Sequence, residues 1–172
     1  MDVLSIIKKE HREVGALIDE ADRCAAGDGR LVELAREIEA KLSAHLSIEE
    51  RLFYAQLRDR AEKAEERVDV FEAYTEHAVA KSLMQMLEKG RKPDERFKAE
   101  LQVLGESVKH HVEEEESKVF GIARKLMDEE ELDEIGDAWE RAKKRAATNG
   151  AHPPARRNGA KKATSRAKTA RR

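Results

Sequence analysis

Apolar residues recur along this chain at steps of three and four, the spacing of one face of an α-helix. The first such run covers residues 2–25, where Ile7, Val14 and Ile18 share a face with His11. Gly27-Asp28-Gly29 follows as a turn signal. The second run starts at Arg30 and reaches the low sixties through Leu31, Leu34, Ile38, Leu42, His45, Glu49 and Leu52. The connection after it falls within residues 59–67 and contains no Gly or Pro to fix its limits. A third helix is predicted over residues 68–88, with Val70, Tyr74, His77, Met84 and Leu87 inward. It stops at Lys89-Gly90-Arg91-Lys92-Pro93, with Gly before Pro, the order that ends a helix. The fourth helix, over residues 94–127, carries Phe97, Leu101, Leu104, Val108, His111, Glu115, Val119, Ile122 and Leu126. Asp128, with Glu131 three residues on, reads as the N-cap and acidic third position of a fifth helix over residues 129–146. Leu132, Ile135 and Trp139 would pack it on the rest.

Four helices of this length joined by short loops predict an all-α fold, an antiparallel up-down-up-down four-helix bundle with a short fifth C-terminal helix. Residues 1–146 form that domain. Residues 147–172 are mostly Ala, Lys, Arg, Gly, Pro, Ser and Thr without periodicity, and are expected to be a disordered basic tail.

The polar residues inside the stripes carry the chemistry. His45 and Glu49 interrupt the second seam, and His111 and Glu115 the fourth, at places where apolar residues are expected. Burying an unpaired imidazole and carboxylate is costly, so something should compensate them. Residues four apart on a helix lie one turn apart on the same face, so each His–Glu pair can point at one spot. His11 precedes His45 by 34 residues, and His77 precedes His111 by 34. The triplets His11/His45/Glu49 and His77/His111/Glu115 superimpose with an offset of 66. Flanking positions agree in part: Glu10 with Glu76, Leu17 with Leu83, Glu50 with Glu116, Tyr54 with Phe120. That is an internal repeat.

Hairpin geometry gives the same grouping independently. The midpoint between His11 and His45 is residue 28, in the first turn, and that between His77 and His111 is residue 94, just after Pro93. The midpoint of Glu49 and His77 is residue 63, in the connection within residues 59–67. Residues equidistant from a hairpin turn sit at one level. All six side chains therefore converge on one layer, about 25 Å from the turns at about 1.5 Å per residue. Four imidazoles and two carboxylates exceed what one small cation needs and suit two ions of borderline hardness, such as iron, manganese or zinc. With both carboxylates bridging, two His on each ion and an oxide or hydroxide bridge, roughly one position per ion stays open for a small ligand.

The pattern His, then His-x-x-x-Glu, then His, then His-x-x-x-Glu resembles the hemerythrin-like HHE cation-binding domain family. It is carried here by His11, His45/Glu49, His77 and His111/Glu115, across roughly residues 1–127. The resemblance implies a non-haem centre of two iron ions in a four-helix bundle. Family members bind or sense oxygen, handle iron, or act on peroxide and nitrogen oxides. Oxygen-carrying hemerythrins add a fifth His four residues from the third-helix ligand. Here Ala73 and Lys81 flank His77 at that spacing, which argues against simple oxygen carriage. Tyr74 is the nearest candidate for an extra ligand on that face, with ordinary core packing as the alternative. Two functional readings follow: a protein that binds oxygen, nitric oxide or peroxide for sensing or protection, or a catalase-like enzyme that decomposes peroxide.

Other residues carry less. His110 is expected to be exposed, Glu50 and Glu116 to be solvated or to support a ligand, and Met84 and Met86 to pack. No Gly-rich phosphate loop, nucleophile elbow or zinc-type Cys cluster occurs. Cys24 is the only cysteine, so no disulfide forms within the chain, and with a charged start and no long apolar run the cytoplasm is the default compartment. Charge changes the picture at one end. Residues 1–140 hold 22 Lys/Arg against 36 Asp/Glu, whereas residues 141–172 hold 12 Lys/Arg and no acid. Such a tail suits non-specific contact with nucleic-acid phosphates, and a regulatory protein held on DNA is a third reading. Without aromatics for base stacking, sequence-specific reading is not expected.

Overall fold

The computed structural model describes residues 1–150, and every regular element among them is helical. Helix α1 spans Val3–Arg23, α2 Arg30–Glu49, α3 Ala55–Arg60, α4 Ala64–Lys89, α5 Glu95–Glu114, α6 Phe120–Leu126 and α7 Glu129–Gly150. The helix expected from Arg30 into the low sixties is α2 and α3 joined through a π-helical turn, Glu50–Tyr54. The one expected over residues 94–127 is α5 and α6 joined through a second π turn, Glu115–Val119. The remainder of the expected tail, residues 151–172, lies outside the described residues.

Local chemistry sets the ends. Asp2 and Asp94 cap α1 and α5 by accepting the backbone N–H of Ser5 and Phe97, both at 3.0 Å. The box expected at α7 forms reciprocally: Asp128 accepts from the Glu131 N–H at 2.9 Å, and Glu131 accepts from the Asp128 N–H at 3.0 Å. Gly27 adopts φ 93°, left-handed backbone that favours glycine, and its N–H donates to the Pro93 carbonyl, tying the two hairpin turns together.

Side-chain contacts join the long helices in neighbouring pairs. Glu13 meets Lys41 and His11 meets His45 across α1 and α2. His77 meets His111 across α4 and α5, and Lys109 reaches back to Asp19 across α5 and α1. The core falls into two apolar clusters. One, near the hairpin turns, contains Ile18, Leu34, Ile38, Leu87, Phe97 and Leu104. The other, at the far end, contains Ile7, Phe53, Tyr54, Leu57, Phe120 and Trp139. The His/Glu layer lies between them.

Helix α7 closes the far end with Trp139 fully buried. Gly136 permits this approach, because a Cβ there would collide with the Met1 carbonyl oxygen. No helix among the described residues is long and apolar enough to cross a membrane. Met84 is buried as expected, whereas Met86 is 45 % exposed.

Candidate metal centre

Each π turn lies directly at a carboxylate of the layer: one follows Glu49, the other begins with Glu115. A π turn takes up one extra residue, so the buried face beyond it advances by one position. That is why Phe53 and Tyr54 are buried while Leu52, the residue expected in the seam, is only partly covered. In the other half Phe120, the repeat counterpart of Tyr54, is likewise fully buried.

The structure brings all six sequence-predicted residues into one buried layer. Glu49, His77 and Glu115 are fully buried, and His11, His45 and His111 nearly so. The Nε2 atoms point inward. Glu49 Oε2 lies 3.2 Å from His45 Nε2 and 3.3 Å from His77 Nε2, between the two halves. Glu115 Oε2 lies 3.2 Å from His11 Nε2 and 3.9 Å from His111 Nε2, also between them. His77 Nε2 and His111 Nε2 are 3.1 Å apart. Two groups of donor atoms each fall within 4.8 Å of one another: His11/His45/Glu49 and Glu49/His77/His111.

The outward nitrogens are held by carboxylates, one for each ring. His11 Nδ1 is 3.0 Å from Glu116, His45 Nδ1 2.9 Å from Glu10, His77 Nδ1 3.0 Å from Glu50, and His111 Nδ1 2.7 Å from Glu76. A carboxylate at Nδ1 fixes the tautomer that leaves Nε2 free to ligate and raises its basicity. Glu50 and Glu116 are therefore imidazole anchors rather than solvated charges. Each is in turn met by a lysine, Lys81 at 2.6 Å and Lys8 at 3.3 Å. His110 is exposed as expected, although its Nε2 lies 3.4 Å from Glu76.

Of the two roles open to Tyr74, the structure fits core packing rather than a place in the layer. Tyr74 is partly exposed and donates to the Glu50 backbone carbonyl at 3.1 Å, away from the layer. Tyr54 enters the layer instead, donating to Glu115 Oε1 at 2.7 Å with its oxygen 3.4 Å from His77 Nε2. The aromatic repeated five residues after each layer Glu was the available signal, and the π turn that turns it inward was not legible.

The electrostatics of the layer favour a cation. Burial would push His45 down, but the Glu49 charge and the Glu10 hydrogen bond outweigh it and raise its pKa to about 10. For His111, burial is likewise outweighed by Glu76 and Glu115. Tyr54 is raised well above 10.0 by burial and by the charges of Glu49 and Glu115. Even so, His11 Nε2, His45 Nε2, both oxygens of Glu49 and Glu115 Oε2 are buried without a hydrogen-bond partner. Buried polar atoms in proteins are almost always partnered. Five such atoms converging on one layer, all metal-ligating in type, fit a site built for metal.

Beside the layer is a cavity of about 20 Å³ whose apolar wall includes Val14, Leu42, Leu46, Ala80, Val108 and Val112. It has room for about one water-sized molecule.

Comparisons with known proteins agree with this geometry. Residues 2–123 match the family model of the hemerythrin HHE cation binding domain. A curated relative, a DNA nickase from Nostoc sp. (strain PCC 7120 / SAG 25.82 / UTEX 2576), is 24% identical over 143 residues. The match covers 83% of this chain but only 39% of that protein, so the chain spans well under half the relative's length. The crystal structure of a hemerythrin HHE cation binding domain-containing protein from Mycobacterium kansasii superimposes with a TM-score of 0.69 at 16% identity. That alignment covers 87% of this chain and 91% of the other, and shows a shared fold. With the family model matching most of its length, this chain belongs to the hemerythrin HHE cation-binding domain family.

Proposed function

We propose that the chain is an up-down-up-down bundle holding two iron ions, one through His11 and His45 and the other through His77 and His111. Glu49 and Glu115 lie between the two. The observation that carries this reading is the double layer around each imidazole, with Nε2 inward beside unpartnered carboxylate oxygens and Nδ1 outward on a carboxylate. When bound, a pair of irons with open positions supplies reversible ligation and electron exchange with oxygen, nitric oxide or peroxide.

The chain's own residues set what reaches that centre. The small apolar cavity beside the layer is of a size for a molecule of one or two heavy atoms, the class to which oxygen, nitric oxide and peroxide belong. Tyr54 holds a proton at Oη, 2.7 Å from Glu115, at the edge of the layer. It is the hydroxyl placed to donate a hydrogen bond toward a bound ligand or to take a coordination position on the His77 side. We place this chemistry in the cytoplasm, the default compartment for a chain with a single cysteine.

Adding nitric oxide, and separately peroxide, to the iron-loaded protein tests the reading. A stable change in the visible spectrum without oxygen release supports ligand binding. Sustained oxygen release from peroxide assigns the same centre a catalase-like activity. No spectral response to either molecule removes the small-ligand reading.

A second reading concerns the chain's end. The 12 Lys/Arg without an acid in residues 141–172 suit phosphate neutralisation, and one relative is named a DNA nickase. Salt-dependent DNA binding that is lost on deleting residues 148–172 supports it, and absence of binding at low salt sinks it.

A further inference from the structure

The sequence repeat makes the two halves of the layer look equivalent, yet their anchors are not. Glu10 and its repeat counterpart Glu76 each use one oxygen in the same way. Glu10 Oε2 holds His45 Nδ1 at 2.9 Å, and Glu76 Oε2 holds His111 Nδ1 at 2.7 Å. Their second oxygens differ. Glu76 Oε1 faces only the largely exposed ring of His110, at 3.4 Å. Glu10 Oε1 accepts from the indole N–H of Trp139 at 3.1 Å and from the Lys143 ammonium at 2.5 Å. Both donors come from α7, four residues apart on one helix face. Neither has a repeat counterpart, because they follow the end of the repeated region.

We propose that Trp139 and Lys143 are positioning residues for His45, so that α7 secures the metal at His11/His45/Glu49 and leaves the His77/His111 position outside its control. This inference rests on the metal-centre reading above. The physical basis is orientation. A carboxylate pinned at both oxygens by three donors cannot turn away from the imidazole it holds. The Trp139 ring adds a second restraint, standing edge-on to His45 with ring centres 5.4 Å apart. A cavity of about 370 Å³ opens beside Glu10, His45 and Lys143, between α7 and the first two helices. Removing the ammonium admits water to Glu10 Oε1 and frees the carboxylate to rotate. Loss of a partner that orients a ligating His typically weakens metal binding by about 10–100-fold.

The consequence is lability of half the metal. The full chain is loaded with ferrous iron, and release to a chromogenic chelator is followed in the wild type, Lys143→Met, Lys143→Arg and Trp139→Phe. Lys144→Met, on an exposed neighbouring lysine, is the control. One of two iron equivalents should leave about 10–100-fold faster in Lys143→Met and in Trp139→Phe, with the other at the wild-type rate. Lys143→Arg and Lys144→Met should behave as wild type. Acceleration of both equivalents together, or of neither, overturns the role of α7 while leaving a two-iron centre in place. A wild-type chain that takes up no iron overturns this inference and the metal-centre reading with it.

Discussion

Replacing Tyr54 with Phe removes one oxygen from the most enclosed part of the layer. The ring is fully buried and packs on Tyr74 and His77, with centroids 5.2 and 5.1 Å away, and those contacts survive the change. What disappears is the 2.7 Å hydrogen bond to Glu115 Oε1. Glu115 Oε2 already lacks a hydrogen-bond partner, so its carboxylate loses the donor on which the metal-free layer relies. Hydrogen bonds to charged groups are worth about 1.5–3 kcal/mol. For a domain of this size each kcal/mol moves Tm by about 2–4 °C, so metal-free Tyr54→Phe should melt about 3–12 °C below wild type. A bound cation takes over the compensation of Glu115, so the deficit should shrink on iron loading. The assay is thermal unfolding by far-ultraviolet circular dichroism, with chelator and with iron. Equal or greater stability of the metal-free variant would refute the reasoning, because the Tyr54–Glu115 bond would then carry no weight.

Further outcomes follow from the helix contact at Gly105 and from the charge state of His45. A Cβ on Gly105 would stand 2.7 Å from Ile18 Cγ2, so Gly105→Ala should cost about 1–3 kcal/mol in denaturant unfolding despite its better helix propensity. Ile18→Leu, which has no Cγ2, should recover part of that loss. His45 is raised from 6.5 to about 10 in the metal-free chain, so its contribution to stability is full below 6.5 and is lost as pH rises through about 10. Metal must displace that proton, so iron loading in weak buffer at neutral pH should release protons, and apparent affinity should rise with pH. Loading with no proton release would contradict this.

Much of the centre was written in spacing. His11, His45, His77 and His111 sit at matched distances from two hairpin turns, and antiparallel geometry converts matched distance into a common level. Level is one coordinate, however, and direction around the helix is the other. Spacing alone left Glu50 and Glu116 open between solvent and support of a ligand, because it does not report which imidazole faces them across the bundle. The π turns at those residues change the phase, which brings Tyr54 inward in one half and Phe120 in the other. Neither turn carries a Gly or Pro to announce it. Glu10 and Glu76 were visible as a repeated pair, but what each one holds depends on which neighbouring helix lies beside it. The hold of Trp139 and Lys143 on Glu10 joins residues more than a hundred positions apart, and no local pattern reports it. The apolar seams, by contrast, gave the helices, the capping box at Asp128 and the burial of Trp139, because those depend on neighbours along the chain.

The central claim is that the layer exists to hold two irons. The most direct test is metal content per chain, by elemental analysis of the 172-residue chain purified from iron-supplemented cells, with His45→Ala and Glu115→Ala alongside. The account predicts two irons per chain in the wild type and their loss in both variants. A wild type without metal, with both variants folded and equally stable, would contradict it and leave the layer as a buried hydrogen-bonded network.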